Sequence, residues 1–252
     1  MLQVKNLTMQ FGGLIANNDV TLTAEAGKIT GLIGPNGAGK TTFFNSISGV
    51  YAPTKGKVVF NGVEIQGKRP YKINELGMSR TYQVINLFKK MTVVENVVVG
   101  MHSTLKTGFI KSLLKTKSER EEEKASFERA IELLEFVGLK EFAFEEAGSL
   151  SYGKQRLLEI CRGLASNPRI ILLDEPAAGM NSTEKLELDD LLQKILATGV
   201  GILIIEHDMK LIMNVADYLY VLNYGKLLAE GTPTEIQNNA DVIAAYLGEE
   251  EI

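Results

Sequence analysis

The sequence predicts an α/β fold: a mainly parallel sheet with flanking helices, an antiparallel β part near the N-terminus and a mainly helical lobe. Three observations predict it. In the last third of the chain, apolar β-type runs alternate with helical stretches, the pattern of strands paired in parallel through helical crossovers. Asn61-Gly62 stands between two alternating segments, a strong hairpin signal. The charged, periodic stretch from Glu119 to Val137 reads as a long helix.

In chain order, LQVKNLTM and VTLTA open as β-type runs, and KITGLIG from Lys28 to Gly34 reads as a buried strand. TTFFNSISG, from Thr41, reads as a helix, and Lys57 to Ile65 forms the hairpin around Asn61-Gly62. Thr92-Val-Val-Glu95 is a capping-box pattern that starts a helix through Val99. A further helix runs from about Lys154 to Ala165. RIILLDE is then a strand, Thr183 to Ala197 a helix with Asn181 and Glu184 as its cap and N3 pair, and VGILIIEHD and YLYVLN are strands. No internal repeat or low-complexity linker divides the chain. The expected organisation is one domain over 1–252: a core from 1–80 and 165–252 that includes the antiparallel part, and a helical lobe at about 81–164.

The chain's 252 residues suffice for a large core, with 45% hydrophobic and 23% charged residues. A formal charge of −4 argues against a nucleic-acid partner, which would need a clustered basic excess. Cys161 is the only cysteine, so no internal disulfide forms, and with two histidines it cannot supply an ordinary structural zinc site. A reducing cytoplasm fits. The start, MLQVKNLTMQF, lacks a signal-peptide pattern, and no run approaches the ~20 apolar residues of a membrane span. Work at a membrane would depend on partners.

Residues 34 to 42, GPNGAGKTT, satisfy G-x-x-x-x-G-K-[ST] between a strand and a helix. Gly34, Pro35, Asn36, Gly37, Ala38 and Gly39 then form a phosphate loop. Glycine permits positive φ and close backbone approach, so main-chain N–H groups and the helix N-terminus can surround phosphates. Lys40 would reach the β- and γ-phosphates. The hydroxyl of Thr41, followed by Thr42, would hold Mg²⁺. These residues point to a bound nucleotide and Mg²⁺, on a P-loop NTPase core; the resemblance set out below makes the nucleotide ATP.

Asp174 and Glu175 follow the apolar run IILL, so both carboxylates emerge at the carboxyl end of a buried strand. Asp174 could hold Mg²⁺ through water, and Glu175 could orient or deprotonate the attacking water; the bland alternative is a cap for the next segment. His207 follows GILIIE in the same kind of position and could contact the γ-phosphate or the water, or be structural. Ser151 and Gly153 precede a helix whose N-terminus suits a phosphate, although a plain N-cap serine explains the same residue. Cys161, at helical spacing with Leu157, Leu158 and Leu164, reads as core.

GPNGAGKTT, RTYQ at 80–83, LSYGKQ at 150–155, ILLDEP and EHD, in this order, make nearly the whole chain resemble the ATP-binding subunits of ABC transporters. The resemblance implies that two such subunits sandwich two ATP molecules, each signature motif (here LSYGKQ) facing the other's phosphate loop. It also implies that Gln83 takes part in catalysis and metal binding and links the site to the helical lobe and membrane subunits. Phe11 matches the aromatic that stacks on adenine, while its place near a strand equally suits a core residue. The chain departs from the common pattern with Tyr152-Gly153-Lys154 in the signature and Asn181 after the carboxylates. A cation at Lys154 beside a γ-phosphate could strengthen ATP capture or disturb the sandwich.

FGGLIANNDV, RTYQVINLF, LSYGKQR and DEPAAGMN resemble the ATPases of branched-chain amino acid importers. That resemblance implies a peripheral subunit on the cytoplasmic face of the membrane. Its partners would be a second ATP-binding subunit, identical or a sister, two permease subunits and, indirectly, an external solute-binding protein. Urea or amide importers are alternatives, as is a soluble ABC-type ATPase working as a mechanical switch; co-purification with permeases separates the latter. Residues 105 to 117, LKTGFIKSLLKTK, offer an apolar face edged with lysines, suited either to membrane contact or to a surface helix on its own lobe.

Overall fold

In the computed structural model, which describes residues 1–102 and 117–247, the strands form two sheets. One is antiparallel, with β1 (Leu2–Phe11), β2 (Leu14–Ala24), β4 (Lys55–Phe60) and β5 (Val63–Glu64) in the order β2-β1-β4-β5. The other holds β3 (Ile29–Ile33), β6 (Met78–Arg80), β7 (Ile170–Asp174), β8 (Gly201–Ile205), β9 (Tyr218–Asn223) and β10 (Lys226–Gly231), in the order β10-β9-β3-β8-β7-β6. All its pairings are parallel except β10 on β9.

The hairpin signal is met. Asn61 and Gly62 take φ of 48° and 82°, the two positive values a two-residue I′ connection requires. β1 and β2 extend further toward each other than the alternation suggests, because the ladder continues to Phe11 opposite Leu14.

The parallel strands are apolar without interruption because both faces are covered. Ile171, Leu173, Ile202, Ile204, Leu219 and Val221 face one apolar cluster, which contains the helices' buried side chains. Ile170, Leu172, Leu203, Ile205, Tyr220 and Leu222 face the other. There they meet Phe43, Phe44 and Ile47 of α1 (Lys40–Ile47) and the inner side of the antiparallel sheet.

The remaining helices are α2 (Pro70–Glu75), α3 (Val93–Gly100), α4 (Lys117–Phe136), α5 (Tyr152–Leu164), α6 (Ser182–Ala197), α7 (Met209–Val215), α8 (Pro233–Gln237) and α9 (Ala240–Leu247). The capping boxes expected at Thr92/Glu95 and Asn181/Glu184 are both formed. Val93, Val97, Ala130, Leu134, Leu158 and Cys161 share one cluster with the sheet, so α3, α4 and α5 pack continuously onto it. β6 escapes a periodicity reading because it is three residues long, and α2, α7, α8, α9 and β10 are likewise not evident from pattern alone. The amphipathic stretch expected at 105–117 lies outside the described residues up to Lys117, where α4 begins.

Candidate functional site

Four adjacent parallel strands, β3, β8, β7 and β6, place the expected groups at their carboxyl ends, where open α/β sheets bind ligands. Gly34 directly follows β3, His207 lies just past β8, Asp174 and Glu175 end and follow β7, and Gln83 lies just past β6. Residues far apart in sequence thus converge on one rim.

The loop after β3 is held from outside. Gly34 has φ 145°, and a Cβ there would lie 2.1 Å from the Leu222 carbonyl oxygen; one at Gly39, φ 97°, would lie 2.4 Å from the Ala16 carbonyl oxygen. Only glycine lets β9 and β2 come this close. Gly225 N–H donates to the Ala38 carbonyl at 3.0 Å, and Asn17 Nδ2 donates to the Gly39 carbonyl at 3.1 Å. Lys40 is buried, its Nζ donating to the carbonyls of Gly34 at 2.6 Å and Pro35 at 2.8 Å. α1 starts at Gly39 without a side-chain cap or an acidic residue in its first turn. Its first N–H groups therefore suit an anion. Thr41, at the second position of α1, is exposed, and Thr42 is half-buried.

Asp174 is 2% exposed and joins Arg80, Nη2 to Oδ2, at 2.9 Å. Burial raises its pKa above the ordinary aspartate value, and Arg80 opposes the rise. Its Oδ1 is buried without a hydrogen-bond partner among the described residues. Arg80 Nη1 also donates to Asn45 Oδ1 at 2.9 Å and Ser48 Oγ at 2.7 Å, tying α1 to β7. Glu175 sits at φ 49°, a left-handed conformation that costs a non-glycine residue about 1–2 kcal/mol. Its Oε2 accepts from Gln83 Nε2 at 2.8 Å and lies 3.7 Å from His207 Nδ1. His207 itself is largely exposed.

Glu206, fully buried, accepts from the main-chain N–H groups of Ala177 (2.8 Å), His207 (3.1 Å) and Asp208 (3.2 Å). It braces the segment after Glu175 against the one carrying His207. Burial raises its pKa against the pull of those bonds. The sequence alone assigns no role to Glu206, Arg80 or the buried Arg156, because the contacts that give them one lie elsewhere in the chain: Ala177 for Glu206, Asp174 for Arg80, and Tyr82 and Gln83 for Arg156. Arg80 and Arg156 sit inside the RTYQ and LSYGKQR strings, and that was the one available signal.

At the signature, Ser151 caps α5, accepting from Lys154 N at 3.4 Å. Gly153 faces the Glu184 side chain, where a Cβ would lie 2.4 Å from its carboxyl carbon. Lys154 Nζ sits 3.9 Å from the centre of the Phe142 ring, a cation–π contact within the chain. Neither Ser151 nor Gly153 hydrogen-bonds to residues 34–42. Phe11 is 41% exposed at the end of β1, edge-to-face with Tyr51 at 5.3 Å between centroids, so it belongs to no core. No group of three or more His, Cys, Asp or Glu residues among the described ones could hold a metal unaided. A cation here needs ligand oxygens and waters, as Mg²⁺ prefers.

The family described as ABC transporter matches residues 17–178, and the one described as branched-chain amino acid ATP-binding cassette transporter matches residues 226–252. The chain is 50% identical over 250 residues to the high-affinity branched-chain amino acid transport ATP-binding protein BraF of Pseudomonas aeruginosa, covering 99% of this chain and 98% of that protein. The crystal structure of a nucleotide-free ATP-binding cassette from an ABC transporter aligns with a TM-score of 0.85 and 32% identity over 98% of each chain. The dimeric bacterial cassette MJ0796 aligns with a TM-score of 0.78 and 25% identity, over 92% of this chain and 99% of that one.

Proposed function

This chain belongs to the ABC transporter family of ATP-binding cassettes, and we propose from that premise that it is the ATP-hydrolysing subunit of an importer for branched-chain amino acids. The observation that carries the chemistry is the convergence at four adjacent strand ends: a phosphate loop, a buried aspartate, and Glu175 held by Gln83. The branched-chain cargo, chosen over urea or amides, is supported by the BraF likeness and the matched C-terminal segment.

In the proposed cycle, ATP lies along residues 34–42 with its phosphates on the first N–H groups of α1, and the adenine stacks on Phe11. Lys40 exchanges the carbonyls of Gly34 and Pro35 for phosphate oxygens. Mg²⁺ would be held by Thr41 and Gln83 directly and by Asp174 through water, supplying charge neutralisation between the β- and γ-phosphates. The partnerless Oδ1 of Asp174 fits that role. Glu175 orients and deprotonates the attacking water, with Gln83 fixing the carboxylate and His207 beside it.

Ser151 and Gly153 would complete the site of a second ATP-binding subunit, a reading supported by the dimeric relative. We divide the single domain into the core (1–80 and 165–252) and the lobe (about 81–164). No helix among the described residues is long and apolar enough to cross a membrane. The chain would therefore work peripherally, on the cytoplasmic face, against two permease subunits fed by an external solute-binding protein.

The test is steady-state ATP hydrolysis by Glu175→Gln. A loss of roughly 100-fold or more with ATP binding retained is expected of a general base. Unchanged hydrolysis would remove Glu175 from that role.

A further inference from the structure

Residues 81–90 connect β6 to the turn before α3 without regular secondary structure, so their main-chain polar groups need partners elsewhere. For Tyr82, Gln83 and Asn86 such partners come from one stripe of α5. Arg156 donates from Nη1 to the Tyr82 carbonyl and from Nη2 to the Gln83 carbonyl, both at 2.8 Å. Glu159 Oε1 accepts the Asn86 N–H at 3.3 Å, and Arg162 Nη1 donates to the Asn86 carbonyl at 2.6 Å. Positions 156, 159 and 162 fall at i, i+3 and i+6, one face of the helix.

Arg156 is the buried centre of this strap. Its side chain is 0% exposed and pairs with Glu159, 1% exposed, at 2.9 Å; Nη2 also lies 3.2 Å from the Tyr152 hydroxyl. Two successive carbonyls, a carboxylate and a phenol are served by one planar fork. A lysine ammonium is a point donor and cannot span that set.

We propose that Arg156 is a positioning residue for hydrolysis: it fixes the main chain at Gln83, and so sets Gln83 Nε2 on the Glu175 carboxylate. This deepens, and rests on, the assignment of Glu175 above. Ser151 caps the same helix five residues earlier. Docking of a second subunit on Ser151 would then bear on Gln83 of this chain and, through its Nε2, on the Glu175 carboxylate. The path is continuous: Ser151, α5, Arg156, the carbonyls of Tyr82 and Gln83, Gln83 Nε2, Glu175.

The full chain is tested as a double-mutant cycle: Arg156→Lys, Gln83→Ala and both together, with kcat and the equilibrium Kd for ATP measured for each. Arg156→Lys alone should lower kcat roughly tenfold or more, the scale of a displaced catalytic group, with Kd within about twofold. On the Gln83→Ala background the same change should cost less than about twofold, because its route is already cut. Hydrogen exchange supplies an independent readout: Arg156→Lys should speed the Asn86 amide while α1 amides keep the wild-type rate.

Equal losses on both backgrounds, parallel weakening of ATP binding, or an unchanged Asn86 amide would each overturn the proposal. If the lysine variant fails to fold, Arg156→Met with Glu159→Gln, which removes both buried charges, takes its place in the cycle. A wild-type chain that binds ATP without hydrolysing it would overturn the functional reading instead, and the amide readout would still judge the strap.

Discussion

Replacing Arg80 by alanine strips a buried carboxylate of its partner. Arg80 and Asp174 have side chains only 7% and 2% exposed and meet at 2.9 Å; Arg80 also gives 2.9 and 2.7 Å bonds to Asn45 and Ser48. Breaking one side of such a pair costs about 3–5 kcal/mol, most of it from the charge left behind. In a domain of this size each kcal/mol moves Tm by about 2–4 °C, so Arg80→Ala should melt roughly 6–20 °C below wild type. Arg80→Lys keeps the charge but loses the fork, and should lie between the two. The loss should depend on pH. Burial already raises the Asp174 pKa and Arg80 opposes it, so removing Arg80 raises it further. A carboxyl with a raised folded pKa binds its proton more tightly in the native state, and stability falls as pH climbs from the ordinary value of 3.8 through the folded one. The deficit of Arg80→Ala should therefore be smaller in acid than at pH 8. Differential scanning calorimetry at several pH values is the assay. A Tm within about 2 °C of wild type at pH 8, or a deficit that shrinks as pH rises, would refute this account.

Two further outcomes follow from burial and pairing. Burial pushes the Cys161 thiol far up, so a thiol-specific reagent at pH 8 should react with the native chain at the rate of global or local opening and promptly once urea unfolds it; fast native reaction would contradict the packing. The Asp208 carboxyl is held below its ordinary 3.8, first by Lys185 at 2.5 Å and then by the Leu211 N–H. A depressed carboxylate contributes stability above its unfolded pKa and loses it as pH falls through the folded value. Lys185→Met should thus cost about 0.2–1 kcal/mol at pH 6–8, the scale of a partly exposed pair, and progressively less as pH falls below the ordinary aspartate value; urea titrations across that range check it.

The phosphate loop was legible because its geometry is local: glycines set φ where Leu222 and Ala16 crowd the backbone, and Lys40 follows at a fixed offset. Asp174 was legible because an unbroken apolar run must end at a strand's carboxyl end. Arg80 and Arg156 were not, because the contacts that give them a role are long-range: Arg80 closes on Asp174 across β6 and β7, and Arg156, beyond its helical neighbours Tyr152 and Glu159, closes on the carbonyls of Tyr82 and Gln83. Glu206 read as the end of a strand, although its buried carboxylate gathers three N–H groups. Lys154 has a contact that its motif position does not announce. In the folded chain its ammonium rests on the Phe142 ring, a residue twelve positions earlier.

On the proposed cycle, the assignment of Ser151 to the other chain's nucleotide decides how ATP can do work. A nucleotide bound to one chain alone meets the loop, Asp174 and Glu175, and gains nothing from the signature. Closure of two chains adds the Ser151 side and the N-terminus of α5, so the γ-phosphate binds the closed pair more tightly than the open one. Only that difference can shift the equilibrium; moving it from 1:99 to 99:1 takes about 5.5 kcal/mol. Hydrolysis then removes the group on which the difference rests, and the pair reopens. Because Arg156 ties α5 to the loop carrying Gln83, the helix that senses the second chain also aligns the base. The strap and the Gln83–Glu175 bond are both formed in the single chain, so what closure adds is the γ-phosphate's second set of contacts, and the strap makes the position of α5 and that of the Glu175 carboxylate depend on each other.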